Sequence, residues 1–134
     1  ASDVYKRQAQ ANARDRQLDI TLLQRDIFDL VPEFAHYFDY VVEHTCFCAL
    51  DPGLRPDYVT LVHQLLKPTG QFIGLFFTYQ RGNDGPPFGS TPEQILALFA
   101  PKFRLDVLEP VSNSVPSRKG EEHLGRFTPV PDSN

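Results

Sequence analysis

One short segment holds most of the side chains that could carry chemistry. Glu43, His44, Thr45, Cys46 and Cys48 follow an apolar run in the stretch VVEHTCFCAL. Cysteine and histidine are zinc ligands, but paired zinc cysteines favour two or more intervening residues, and no second pair follows downstream. A cysteine nucleophile needs a base and a lowered pKa, and the sequence shows neither. The segment therefore predicts small buried thiols beneath a loop and no metal site.

Polar residues also follow another predicted strand. Asp26 comes after an alternating, β-branched stretch at 18–25 and is followed by Ile27. Ligands of open parallel sheets bind beyond the carboxyl ends of the strands, so Asp26 and His44 are expected to face a shared hollow. There Asp26 would accept a hydrogen bond from an exocyclic amine, with Ile27 against a purine ring. The alternatives are a turn cap for Asp26 and a surface loop position for His44.

The elements that must position these residues alternate between strands and helices. Strands are predicted at about 18–25, 38–43, 71–77, 103–108 and 123–130, and helices near 9–14, from Pro56 to about 66, and from Ser90 or Thr91 to about 100. This alternation favours a mostly parallel sheet with helices on both faces. The last two strands have only a loop between them, which allows one antiparallel strand at the edge. The apolar run at 38–43 predicts a strand buried on both faces.

The composition is that of one ordinary domain. The chain has 134 residues, 41% of them hydrophobic, which is enough to form a core. Its net charge of −4 provides no basic surface, so we expect no nucleic-acid partner and no membrane association. Cys46 and Cys48 are too close in sequence for a relaxed disulfide, which favours a reducing, cytoplasmic setting.

Four segments together resemble the thiopurine S-methyltransferase family, in particular its branch of thiol and halide methyltransferases. They are EHTCFCALDPGLRPDYV, LLKPTGQFIGLFF, GPPF and NSVPSRKGEEHLGRF, and the similarity extends over about residues 9–127. The resemblance implies an α/β, Rossmann-like class I methyltransferase sheet with an antiparallel C-terminal strand. It also implies methyl transfer from S-adenosyl-L-methionine to a thiol, a thiopurine, a halide or thiocyanate.

The resemblance assigns site residues by position. Asp26 and Ile27 match the pair beside the adenine ring, and residues 43–45 match a step that contacts the cofactor. His44 stands where the family more usually has Tyr or Arg. Phe88 and Arg118 fall in segments near the acceptor pocket. An in-line displacement needs alignment and desolvation more than an acid or a base, so we expect no elaborate catalytic triad.

Part of the family pattern has no counterpart in these residues. The glycine-rich first turn is absent, and so is the acidic residue that binds the ribose. We expect a fragment in which residues 1–8 are foreign to the family, 9–127 form the C-terminal two-thirds of one methyltransferase domain, and 128–134 form a loose tail. Such a fragment would bind cofactor weakly or not at all, and its exposed sheet edge would favour self-association.

Two other functions stay open. A non-catalytic binding module would keep the sheet without the chemistry, and the histidine at position 44 is the feature that motivates this reading. A nicotinamide-dependent oxidoreductase on a related sheet ranks last, because the long resemblance argues against it.

Overall fold

The computed structural model describes residues 2–79 and 85–132, which divide into two compact units, residues 1–30 and 31–134. The first unit contains helix α1 (Ser2–Asp15), which includes the helical run predicted at 9–14. The strand predicted at 18–25 was wrong, because this segment is coil and Leu18 and Ile20 are exposed. A strand needs hydrogen bonds from a neighbouring strand, and the described residues supply none to this segment.

The second unit is a four-stranded sheet flanked by two helices. Its elements are β1 (Phe38–His44), α2 (Arg55–Leu65), β2 (Leu66–Phe77), α3 (Pro92–Phe99), β3 (Phe103–Pro110) and β4 (Glu122–Pro129). The strand order is β1-β2-β4-β3, with β1 parallel to β2 and β4 antiparallel to both of its neighbours. The mostly parallel sheet with an antiparallel last strand is therefore confirmed. The predicted edge position of that strand was wrong, since β4 lies inside the sheet, where its buried Phe127 packs against Phe72 of β2.

Local sequence signals explain several element ends. Thr91 caps α3 because its hydroxyl accepts a hydrogen bond from the Gln94 backbone N–H, and the Gln94 side-chain oxygen accepts one from the Thr91 backbone N–H. Pro92 occupies the first turn, where its missing N–H costs nothing. Strand β4 runs through Pro129, and Val130 donates to the Lys102 carbonyl, so the sheet extends into the predicted tail.

The core lies on one face of the sheet, which we call the closed face. Phenylalanine rings from β2, α3, β3 and β4 pack there with centroids 5.0–6.5 Å apart; they are Phe72, Phe76, Phe99, Phe103 and Phe127. Gly74 and Gly125 face each other in the β2–β4 register. A Cβ at either position would lie 2.7–2.8 Å from a phenylalanine ring. The glycines therefore make room for the rings, and burial of these rings is the main hydrophobic contribution to folding.

The opposite face, the open face, is much less covered. Alternate residues of β2 that point away from the core are only half-buried, and Tyr40 and Val42 of β1 are exposed. The predicted burial of β1 on both faces was therefore wrong. Helices α2 and α3 contact each other and pack against the closed face, so the expected cover by helices holds for one face of this unit. Self-association through exposed apolar surface stays a prediction.

The length and apolar character of the helices decide whether one of them could span a membrane. Among residues 2–79 and 85–132, no helix combines the length and the apolar character needed to cross a bilayer.

The central ring provides a test of this core. Phe127→Ala should lower the free energy of unfolding by about 3–5 kcal/mol, because it removes a fully buried ring that contacts four others. Val42→Ala, on the open face at 73% exposure, should change it by less than about 0.5 kcal/mol. Urea unfolding of both variants measures the difference, and similar values for the two would contradict the assignment of faces.

Candidate active site

A cavity of about 480 Å³ lies on the open face at the carboxyl ends of β1 and β2. Strand positions that share a face supply its floor: His44, Leu75 and Leu124 are neighbours across β1, β2 and β4. The connection between β3 and β4 supplies the wall, with Val111, Asn113, Ser114, Val115 and Arg118. Thr45 and Glu122 complete the lining. Its volume is within the range of small-molecule sites, and its position is the usual one for α/β sheets.

Glu43 lies on the opposite side of β1 from this cavity. Successive strand residues point to opposite faces, so Glu43 is buried on the closed face while His44 faces the open one. Its carboxylate accepts hydrogen bonds from the backbone N–H groups of Cys46 and Phe47, both at 3.0 Å, and from the Tyr58 hydroxyl at 2.5 Å. Glu43, which was predicted to contact the cofactor, is therefore buried inside the protein, where its hydrogen bonds fix the turn after β1.

That turn gives His44 and Thr45 their positions. Thr45 has φ of 63°, a left-handed conformation that is unfavourable for a β-branched residue, and its hydroxyl donates to the His44 carbonyl at 2.6 Å. The Glu43 bonds to the next two residues hold the backbone in this conformation. The His44 ring makes no hydrogen bond within the described part of the chain, so both of its nitrogens are available to a ligand.

Cys46 is not an activated thiol. Burial, with the nearby Glu43 carboxylate and Cys48 as smaller causes, raises the pKa of Cys46 to about 11. Burial and the same carboxylate raise the pKa of Tyr58 far above its usual range, so its hydroxyl stays protonated and remains a donor to Glu43. Cys48 is buried, as the sequence predicted, and Cys46 is half-buried.

Arg118 places a positive charge at the cavity. It ends a 3₁₀ turn (Pro116–Arg118), and its guanidinium lies 4.0 Å from the centroid of the Phe77 ring. No carboxylate forms an ion pair with it among the described residues. Glu122 is buried in the same lining, and the Ser114 hydroxyl is buried without a hydrogen-bond partner in the described chain. Arg118 was predicted, whereas Glu122 and Ser114 were missed. The period-two alternation of β2 places Phe77 on the open face.

Phe88 lies apart from this cavity. Its backbone N–H donates to the Cys48 carbonyl at 2.6 Å, and the next residue, Gly89, accepts a hydrogen bond from Arg55 at 3.1 Å. Arg55 in turn stacks over the Phe47 ring. These contacts dock residues 88–89 against the turn after β1. The acceptor role of Phe88 stays a prediction.

Asp26 and Ile27 belong to the first unit. Asp26 caps the 3₁₀ turn Ile27–Asp29 by accepting a hydrogen bond from the Phe28 backbone at 2.9 Å. This is the turn-cap role that the sequence left open. Within the described residues this bond uses one carboxylate oxygen, and Ile27 is half-buried. Their role beside an adenine ring stays a prediction.

The opposite edge of the sheet has a smaller cavity of about 150 Å³, lined in part by His36 and His63. One ring nitrogen of each histidine lies within 2.9 Å of a backbone carbonyl, of Leu66 for His36 and of Val130 for His63. A carbonyl only accepts, so that nitrogen carries the proton and the rings tie chain segments together. The described residues contain no cluster of three or more His, Cys, Asp or Glu side chains that suits a metal ion.

Comparison with known proteins identifies the family. The family model for thiopurine S-methyltransferase matches residues 3–128, which is nearly the whole chain and begins before the start at residue 9 expected from the sequence. The chain belongs to the thiopurine S-methyltransferase family.

Curated relatives are about a third identical to this chain over the aligned residues. Thiocyanate methyltransferase 1 of Arabidopsis thaliana is 31% identical over 113 residues, which is 82% of this chain and 48% of the relative. Probable thiol methyltransferase 2 of the same plant is 34% identical over 109 residues, 80% of this chain and 47% of the relative. The chain thus spans about half the length of the curated relatives it matches.

Solved structures show the same fold. The 1,6-didemethyltoxoflavin-N1-methyltransferase of Burkholderia thailandensis, solved with 1,6-didemethyltoxoflavin and S-adenosylhomocysteine, superposes with a TM-score of 0.68. The superposition covers 92% of this chain and 56% of that chain at 19% identity. The class I methyltransferase architecture is therefore shared.

The Glu43 hydrogen bonds supply a stability test. Glu43→Ala should lower the free energy of unfolding by about 3–5 kcal/mol, because buried donors lose a charged acceptor. Tyr58→Phe should cost about 1.5–3 kcal/mol, since it removes one bond to a charged group. The double variant should cost clearly less than the sum, as expected for residues in direct contact. Additive losses in urea unfolding would show that the two side chains do not interact.

The raised pKa of Cys46 supplies a second test. At pH 8 its thiolate fraction should be about one hundredth of that of a thiol with the ordinary pKa of 9.0. Iodoacetamide should therefore label native Cys46 far more slowly than the urea-unfolded chain, and the native rate should rise until about pH 11. A Cys48→Ala background leaves one thiol to follow by mass spectrometry. Equal labelling rates before and after unfolding would contradict the burial of this thiol.

Proposed function

We propose that the protein transfers the methyl group of S-adenosyl-L-methionine to a thiol or to a small soft anion such as thiocyanate or a halide. The observation that carries this proposal is the Arg118 guanidinium, held over Phe77 at the edge of a cavity and without a carboxylate partner in the described chain. A cation beside apolar walls suits a polarisable anion that sheds its water easily. The names of the thiocyanate and thiol methyltransferases among the relatives support the same acceptor class.

The residues at the cavity fit the donor molecule. S-adenosyl-L-methionine supplies a methyl group on a positively charged sulfonium, and its methionine end carries a carboxylate. The imidazole of His44, which makes no hydrogen bond within the described residues, can donate a hydrogen bond to such a carboxylate. Thr45 lies beside it in the same lining. Asp26 and Ile27 are proposed for the adenine end, supported by the carboxylate oxygen of Asp26 that its turn cap leaves unused.

The chain contributes alignment and desolvation to the reaction. Leu75, Leu124 and Val115 give the cavity apolar surface, which strips water from an entering anion and makes it more nucleophilic. Arg118 holds that anion by charge without donating a proton to it. Displacement at a methyl group requires the nucleophile in line with the bond that breaks, so fixed walls contribute by restricting its approach.

The setting and partners follow from the same proposal. Cys46 and Cys48 are both free thiols, which supports a reducing, cytoplasmic environment. The partner is a small molecule, and Phe88 is proposed to contribute to its binding from the segment docked on the turn after β1.

Turnover with radiolabelled S-adenosyl-L-methionine tests the function. Thiocyanate, iodide, hydrosulfide, an alkyl thiol and a thiopurine are the acceptors, and both this chain and the longest natural protein containing it are assayed. We expect transfer to at least one of the first four. Transfer to none of them, with no cofactor binding by calorimetry, would favour a non-catalytic module instead.

Arg118→Ala should lower kcat/KM for thiocyanate by about tenfold to a hundredfold, because it removes the cation from the cavity. Arg104→Ala is the matched control, since Arg104 is an exposed arginine on β3 that pairs only with Asp106. Equal effects of the two substitutions would show that Arg118 does not bind the acceptor.

A further inference from the structure

A second charged group lies in the same cavity, and the proposed displacement does not use it. Glu122 begins β4 directly opposite Phe77 of β2, and Arg118 covers that same ring. The Glu122 side chain is 4% exposed and belongs to the cavity lining. Within the described chain it has no hydrogen bond to its carboxylate and no ion pair. Its carboxylate oxygens are open to the cavity, where water or a bound ligand takes the place of a protein partner.

The carboxylate distinguishes two kinds of acceptor by charge. Thiocyanate and halides arrive as anions without a proton, so a neighbouring negative charge repels them. A thiol or hydrogen sulfide arrives neutral, and its S–H group can donate to a carboxylate oxygen. Resting on the proposed function, we infer that Glu122 is the proton acceptor for thiol substrates and biases the site towards them over proton-free anions.

The step balances as follows. The thiol sulfur donates an electron pair to the methyl carbon while the bond from that carbon to the sulfonium breaks, and its electrons stay on the departing S-adenosylhomocysteine. The S–H proton becomes more acidic as the new carbon–sulfur bond forms, and Glu122 accepts it. The products are a neutral methyl thioether and protonated Glu122, which returns its proton to water. Arg118 stabilises the negative charge that develops on sulfur as the proton leaves.

The other charged groups around Glu122 are few. His44 from β1 and Arg118 from the 3₁₀ turn line the same cavity, and β2 presents no titratable side chain between Gln71 and Phe77. On β3, Glu109 is paired with Leu124 in the register and is exposed. The adjacent His123 points to the other face, where it lies 2.6 Å from the Thr78 hydroxyl. Arg118 is thus the main charge that acts with Glu122.

The test compares two acceptors in one variant. Glu122→Gln keeps the size of the side chain but cannot accept the proton. At pH 7 its kcat/KM for an alkyl thiol should fall by about tenfold to thirtyfold. The loss cannot be larger because about 3% of a thiol with a pKa near 8.5 is already ionised at this pH and needs no base. The loss should disappear as pH rises above about 9, where the thiolate needs no base. Its kcat/KM for thiocyanate at pH 7 should stay equal or increase, which also shows that the variant is folded.

Iodide binding provides a readout without turnover. Removing the carboxylate should tighten iodide binding to the chain by roughly tenfold in calorimetry, because a nearby negative charge is lost. Glu109→Gln is the matched control, as an exposed acid outside the cavity, and should leave both turnover and iodide affinity unchanged.

Two results would overturn the inference. Thiol and thiocyanate turnover falling together in Glu122→Gln would show that the residue supports the fold or cofactor binding. Thiol turnover equal to that of the unsubstituted protein at pH 7 would show that no base is needed. If the unsubstituted protein methylates no acceptor, the proposed function fails instead, and the iodide measurement still reports whether Glu122 faces an anion site.

Discussion

The packing of phenylalanine rings over a pair of facing glycines is the constraint on which the rest of the molecule depends. Gly74 and Gly125 lie side by side in adjacent strands, and rings of Phe72, Phe76 and Phe127 occupy the space that two Cβ atoms would fill. The ring packing places one face of the sheet in the core. Because side chains alternate along a strand, the residues between the rings point to the other face. The cavity is built on that other face, so its position follows from the core.

Glu43, on the closed face at the end of β1, fixes the position of His44 on the open face. A charge buried on the closed face is costly unless it is hydrogen-bonded, and here the donors are the backbone of the following turn and Tyr58. Satisfying Glu43 therefore requires the chain to turn immediately after His44. That turn needs the left-handed conformation at Thr45, and it leaves His44 at the rim of the cavity, where its ring makes no hydrogen bond to any described residue. A buried structural carboxylate thus determines where a solvent-facing imidazole sits.

The sequence predicted the strands and helices of the second unit better than it predicted burial. Strands β1 to β4 and helices α2 and α3 carry local signals, such as the capping box at Thr91, that do not depend on neighbours. The segment 18–25 has an equally good alternating pattern, yet a strand also needs a partner, and pattern alone does not supply one. The roles of Glu43 and Glu122 could not be predicted from the sequence for a related reason. Which acid is internally satisfied depends on tertiary contacts, which the residue type does not reveal.

The charged residues of the cavity favour a site that both stabilises a negative charge and accepts a proton. Arg118 alone would suit any small anion, whereas Arg118 together with a buried carboxylate makes the lining nearly neutral. A neutral site does not concentrate preformed anions, but it stabilises a charge that appears only as the reaction proceeds. This is the arrangement expected when the acceptor is neutral in the ground state and its sulfur develops charge in the transition state. Discrimination among soft nucleophiles then depends less on size than on whether the acceptor brings its own proton.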